Sequence, residues 1–211
     1  MKELEENENK LVIRIGKVTK NVKQLITDLR KVFEPHVALK IQEHNNDLIE
    51  KYIPIIHQFF LSHFFVFTEK NGEILLRISN YLHHGPTYFF KIENFKNIFE
   101  INKCLSQKWF KKDPIVTFSG DDCYEQNIFK NFEFFKNEIK DENILRNIHL
   151  HFENKIIYFR HYFIKKEEKD SIKIILEEIG PSISMSFIKE EDGFFNQKNI
   201  NLDLNKYLKE K

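Results

Sequence analysis

The side chains best suited to chemistry in this chain are a few histidines, an acidic pair, two cysteines and a run of lysines. His149 and His151 stand two apart in an alternating stretch, so both fall on one face of a strand and could ligate a metal. No third ligand lies at a workable spacing, so the pair reads as a polar strand face and no metal site is expected. His83-His84 before Gly85 reads as a loop feature. Asp121-Asp122 offers two carboxylates for acid–base work, but Ser119-Gly120-Asp121-Asp122 reads more naturally as a loop with a helix cap. Cys104 and Cys123 stand nineteen positions apart and form no CxxC, which leaves neither a zinc site nor a disulfide framework. Walker loop, GxGxxG and nucleophile-elbow serine are all missing from the sequence. The expectation is a protein with no catalytic residue and no cofactor.

The lysines carry more information. From Lys10 to Lys40 the chain has eight basic side chains (Lys10, Arg14, Lys17, Lys20, Lys23, Arg30, Lys31, Lys40) against Asp28 and Glu34, an excess of six. The preceding residues are acidic, with Glu3, Glu5, Glu6 and Glu8 against Lys2. The basic stretch contains a strand-to-helix turn, Gly16-Lys17-Val18-Thr19-Lys20. A helix start presents free N–H groups and a partial positive charge, both suited to a phosphate. Lys17, Lys20 and Lys23 would add ionic contacts there. At this level two readings stand side by side: a phosphate-binding edge and a solvated basic face.

Those residues need elements to hold them. Leu11 to Ile15 reads as a short apolar strand. From Asn21 to Phe33 the apolar residues Val22, Leu25, Ile26, Leu29, Val32 and Phe33 share one helical face, with Thr19 or Asn21 as cap and Pro35 as stop. Lys23, Arg30 and Lys31 lie off that stripe and are expected in solvent. A second helix is expected from Asp47 to Phe60, kinked or split at Pro54. Strands follow at His63 to Thr68, Glu73 to Ser79 and Thr87 to Glu93, the first two joined by Asn71-Gly72, a hairpin turn signal. The second half reads as a strand at Ile115 to Phe118 and a helix from Tyr124 to Phe135 burying Ile128, Phe129, Phe132 and Phe135. A hairpin of Asn147 to Phe152 with Ile156 to Lys165 follows, and then a strand beginning at Gly180-Pro181. Gly85-Pro86-Thr87 and Gly180-Pro181-Ser182 thus open corresponding strands, which points to a duplicated α/β unit.

Composition bounds the answer. The 211 residues are 41% hydrophobic and 31% charged, which excludes wholesale disorder, and a chain this long buries a sizeable core unaided. Net charge is only +1, so any nucleic-acid contact must come from a local patch. Twenty-two Phe against six Gly leave little material for phosphate-cradling loops. Most of the Phe fall at core spacings and are read as packing. Ile53 to Phe67 is too short and too polar to cross a bilayer, and the acidic N-terminus is unlike a secretory signal. A soluble, intracellular protein with no membrane contact is expected.

The blocks Gly16-Lys17, Lys20-Asn21-Val22, Asp28-Leu29-Arg30-Lys31-Val32 and Glu34-Pro35-His36 together resemble the opening of the Peter Pan branch of the Brix-domain superfamily. Ser62-His63-Phe64-Phe65-Val66-Phe67, Gly85-Pro86-Thr87-Tyr88-Phe89-Phe90, Phe159-Arg160-His161-Tyr162 and Glu178-Ile179-Gly180-Pro181 follow in the family's order. The resemblance implies an α/β Brix domain over residues 11–190, between an acidic N-terminal tail (1–10) and a polar C-terminal tail (191–211). Its two similar halves, about 11–100 and 101–190, would each be like an anticodon-binding domain and related by a pseudo-two-fold. It further implies a non-catalytic ribosome biogenesis factor of the large (60S) subunit in the nucleus and nucleolus, supporting rRNA folding and processing. The partners implied are precursor ribosomal RNA, other large-subunit assembly factors and ribosomal proteins, met by a monomer within a larger particle. RNA-binding residues would be Arg14, Lys17, Lys20, Asn21, Lys23, Arg30, Lys31, His36, Lys40, Arg160 and His161. Gly85, Pro86, Thr87, Gly180 and Pro181 would be structural turns. The alternative is a protein-interaction scaffold within the same particles. The chain departs from the family in lacking a Gly-Pro loop at Ile55 to Phe60, in having Ser182 after the closing Gly-Pro, and in a charged insertion reduced to about Lys165 to Ile172.

Overall fold

A computed structural model of the chain describes residues 9–59, 61–81, 85–102, 110–131, 145–168 and 172–195. One nine-stranded sheet forms its frame. The first half contributes β1 (Asn9–Arg14), α1 (Lys20–Val32), a 3-10 turn (Ile49–Tyr52), α2 (Ile53–Phe59), β2 (Leu61–Lys70), β3 (Glu73–Asn80), β4 (Thr87–Lys96) and the single-turn α3 (Ile98–Ile101). The second half contributes β5 (Ile115–Gly120), α4 (Tyr124–Asn131), β6 (Arg146–Glu153), β7 (Ile156–Glu168), β8 (Ile172–Glu178) and β9 (Ser182–Glu191). The strand order is β1-β2-β3-β4-β9-β7-β6-β5, with β8 paired to the far end of β7.

That order is a palindrome. β1 runs parallel to β2 and β5 parallel to β6, while the hairpins β2–β3 and β6–β7 are antiparallel. The halves meet where β4 pairs antiparallel with β9, each strand opened by a cis Gly-Pro bond, Gly85-Pro86 and Gly180-Pro181. The fold is the expected mixed α/β architecture of two similar halves. Both hairpins turn on two residues with positive φ, Asn71-Gly72 and Asn154-Lys155, the backbone that matches strand twist.

The apolar periods explain the layers. α1 buries Val22, Leu25, Ile26, Leu29 and Val32 against the sheet, and α4 buries Ile128 and Phe129 on the same face. One continuous core therefore joins both halves through Phe65, Phe67, Phe90, Ile148, Leu150, Phe159, Ile183 and Met185. Alternate residues of β1 and β2 (Leu11, Ile13, Phe64, Val66) point the other way, under Ile49, Tyr52 and Ile56 of the 3-10 turn and α2, and under Phe195. Apolar residues therefore run unbroken along these strands because both faces are covered. The second half differs. There Asn147, His149 and His151 on β6, Tyr158 and Arg160 on β7, and Ser182 and Ser184 on β9 form an opposite face that is polar.

Pro54 acts as expected: the 3-10 turn ends at Tyr52 and α2 begins at Ile53, so the long second helix is split. Two elements escaped the sequence reading, α3 and β8. Four residues are too few for a helical period to show. β8 occupies the stretch that opens after the insertion noted at Lys165 to Ile172, and β7 runs on to Glu168 beside it. His83, His84, Phe132, Phe135, Cys104 and residues 196–211 of the expected polar tail lie outside the described residues.

The glycine turns are sterically required. Gly85 has φ +107, and a Cβ there would sit 2.4 Å from the Gly193 carbonyl carbon. Thr87, fully buried, accepts the Phe195 N–H at 3.0 Å and donates to the Gly193 carbonyl at 2.8 Å. Gly180 has φ +73, and a Cβ would meet Ile101 Cδ1 at 2.8 Å.

Candidate nucleic-acid interface

The turn between β1 and α1 places the basic edge. Gly16 supplies the positive φ of +80 that turns the chain, and Val18 is buried, which leaves Lys17 and Lys20 on the outside. Lys23 follows on the exposed face of the first turn, beside the exposed Asn21. Thr19 occupies the N-cap without a side-chain hydrogen bond to the helix, and its own N–H donates to Glu69 Oε2 at 2.6 Å. The helix start already holds one carboxylate from β2, and Lys17, Lys20 and Lys23 flank it in the chain, all exposed.

Among the described residues Lys17, Lys20 and Lys23 make no ion pair. The equivalent turn of the second half has the opposite charge. Gly120 has φ +91 and stands, like Gly16, four residues before the helix, but it is followed by the exposed Asp121-Asp122.

The other expected contacts divide. Lys40 is exposed at the rim of a groove of about 570 Å³ between Val37–Gln42 and α2. Lys31 is half-exposed and lies 3.5 Å from Asp28. His36 reaches across the halves to Asp113 at 3.2 Å. Arg14 and Arg30, expected in contact with RNA, and Arg30 expected in solvent, are both buried. Arg14 donates to Asn45 Oδ1 at 3.0 Å and to the Glu43 carbonyl at 3.1 Å. Arg30 donates to the Val12 carbonyl at 2.9 Å and pairs with Glu43 at 3.1 Å. The segment around Glu43 to Asn45 wraps the end of β1, so the two guanidiniums hold that segment down. Lys10, counted in the basic run, is also buried.

Arg160 and His161 are neighbours on β7 and must point to opposite faces. Arg160 lies on the polar face, where its Nη1 donates to the carbonyls of Phe159 at 2.9 Å and Ile183 at 3.0 Å. His161 lies on the core face with no exposure, its Nδ1 donating to the Gly180 carbonyl at 2.8 Å. Burial first, and then the nearby Arg146 charge, push its pKa down to about 3. His161 is therefore a structural residue, and the expected RNA contact does not fit it.

The histidine pair noted at the outset sits in a hydrogen-bonded ladder on the polar face. His149 Nδ1 meets Thr117 Oγ1 at 2.8 Å, His149 Nε2 meets Ser119 Oγ at 2.8 Å, and Ser119 Oγ meets His151 Nδ1 at 2.9 Å. Burial lowers the His149 pKa, with His151 adding to the effect. Among the described residues no three His, Cys, Asp or Glu side chains gather as a metal site.

Comparison with known proteins agrees with the geometry. The family described as the Brix domain matches residues 16–189. The chain is 28% identical over 161 residues to a Peter Pan-like protein of Arabidopsis thaliana, covering 68% of this chain and 46% of that protein. It is 28% identical over 112 residues to ribosome biogenesis protein SSF1 of Saccharomyces cerevisiae, covering 50% of this chain and 24% of that one. The chain thus spans less than half the length of these relatives. A crystal structure of a probable ribosomal biogenesis protein from Aeropyrum pernix K1 superposes with a TM-score of 0.57 at 11% identity, over 88% of this chain and 99% of that one. With the family match covering most of the chain and the mirrored two-half sheet beneath it, this protein belongs to the Brix domain family.

Proposed function

We propose that this chain is a non-catalytic ribosome biogenesis factor of the large subunit that binds precursor ribosomal RNA through the start of α1. The observation that carries the proposal is the set of three exposed lysines, Lys17, Lys20 and Lys23, that find no acidic partner among the described residues. The acidic turn at Asp121-Asp122 indicates that only the first half's helix start is suited to phosphate. Phosphate contacts position RNA, and shape supplies selectivity, because side chains cannot read the deep major groove of A-form helices. The names of the relatives support ribosome biogenesis as the setting, and with it a nucleolar location and contacts to other assembly factors and ribosomal proteins.

A scaffold role has its own observation. Among the described residues β8 pairs only with β7, and it exposes Ile174 and Leu176, an edge suited to a partner strand. Ultraviolet crosslinking of the tagged protein in cells separates the two. Crosslinks on precursor large-subunit RNA from peptides spanning residues 14–23 support the RNA reading. Co-purification with pre-ribosomes without RNA crosslinks above background favours the scaffold.

A further inference from the structure

We infer that the polar sheet face of the second half binds an unpaired RNA strand and seats one nucleotide in the pocket at the seam between the halves. The inference rests on the proposed RNA-binding role and adds a second site of different chemistry to it.

Strand register lines up the groups. His151 stands opposite Tyr158, Tyr158 opposite Ser184, and Ser184 opposite Asn94, so one row crosses β6, β7, β9 and β4. The next row holds His149 opposite Arg160, and Ser182 opposite Lys96. Within these rows rings and cations lie side by side. The His151 and Tyr158 rings are 5.9 Å apart at 33°, and the Arg160 guanidinium lies 5.5 Å from the Tyr158 ring. All of these side chains on β6, β7 and β9 are half-exposed.

The rows end in a cavity of about 410 Å³ whose polar lining is Asn94, Lys96, Arg160, Ser182 and Ser184, with Phe95 and Ile101 as its apolar wall. Lys96 is exposed and makes no ion pair among the described residues. The two acids at the rim are already engaged: Glu100 accepts the Asn97 N–H at 2.7 Å, and Glu178 lies 3.8 Å from Arg160. Two cations, two hydroxyls and an amide match a phosphate, a sugar and a base edge.

An unpaired strand fits better than a protein partner. The rows themselves offer ring faces, hydroxyls and amides, and aliphatic side chains come only at their ends, Ile156 on β7 and Ile101 in the pocket wall, too few for an extended apolar anchor. Aromatic rings on an open sheet are a stacking platform for splayed bases. Asn97 Nδ2 donates to the Asn21 carbonyl at 3.4 Å, so the end of β4 that carries Lys96 is tied to the start of α1.

The test is fluorescence anisotropy with a labelled oligouridylate of about 12 nucleotides, a length that covers such a platform. An RNA duplex of about 16 base pairs serves as the parallel probe. Tyr158→Ala and Lys96→Glu should each weaken oligouridylate binding roughly tenfold or more, and the charge-neutral Tyr158→Ala should leave the duplex affinity unchanged. Lys96 is exposed, so its variant tests the site even if Tyr158→Ala fails to fold. Unchanged oligouridylate affinity in folded variants overturns the inference. Duplex binding without oligouridylate binding overturns it and leaves the lysine edge standing, whereas binding of neither RNA removes both. A protein found covering this face in purified particles, with no oligouridylate affinity, also overturns it.

Discussion

Arg146 Nη1 lies 3.5 Å from His161 Nε2, both side chains fully buried where the two halves join. His161 Nδ1 donates to the Gly180 carbonyl, so Nε2 is the unprotonated nitrogen and faces an N–H of Arg146. Arg146 also donates to the carbonyls of Val32 at 3.0 Å, Glu34 at 2.9 Å, Phe110 at 3.2 Å and Lys112 at 3.0 Å. One guanidinium thus ties the end of α1 to the entry into β5, with the Phe110 ring 5.3 Å away.

This arrangement makes the fold acid-sensitive. The His161 pKa is depressed to about 3 from 6.5. Between those values the unfolded chain binds a proton that the folded one refuses, so stability is full above about pH 6.5 and falls as pH drops toward 3. Urea denaturation across that range should show a steeper acid loss for the wild type than for His161→Gln. Parallel curves would refute the assignment.

Arg146→Met should cost about 3 kcal/mol or more, because it leaves the carbonyls of four residues without their donor inside the protein. Arg146→Lys should recover little, since a point ammonium cannot serve partners arranged around a planar fork. Equilibrium denaturation at neutral pH measures both. A loss under about 1 kcal/mol would show that water replaces the guanidinium.

Gly85→Ala should destabilise by roughly 2 kcal/mol or more, as φ is +107 and the new Cβ would collide with the Gly193 backbone. Gly72→Ala is the control: φ is similarly positive at +81, but nothing lies within 4 Å, so only about 1 kcal/mol is expected. Thermal melts of the two variants should rank them in that order.

Lys155→Gly should stabilise by about 0.5 kcal/mol, since Lys155 holds φ +63 in a turn whose first-half counterpart ends in glycine. A neutral or negative effect in urea titration would mean that the lysine makes a compensating contact.

Much of this fold could be read from sequence because its signals are local. The α1 stripe from Val22 to Phe33, the Asn71-Gly72 turn and the paired Gly-Pro openings each need only neighbouring residues to be recognised. The mirrored sheet follows from the duplicated order of elements. The site was harder. Lys17, Lys20 and Lys23 emerged as exposed, but Arg14 and Arg30 look identical to them in sequence, and only the wrapping of Glu43 and Asn45 around β1 buries them. His161 could have been separated from Arg160 by the strand period alone, since adjacent strand residues face opposite ways. The polar face had a signal too, the alternation of Ser182, Ser184 and Ser186 with Ile183 and Met185. Its alignment with Tyr158 and His151 depends on strand register, which no local pattern carries.

The most direct test of the lysine edge is the salt dependence of binding to a precursor-rRNA duplex by wild type and by Lys17→Glu/Lys20→Glu/Lys23→Glu. Each lost phosphate contact should flatten the plot of log affinity against log salt by about one unit, so the triple variant should bind weakly with a slope lower by roughly two to three. A folded triple variant with unchanged affinity and slope would contradict the account.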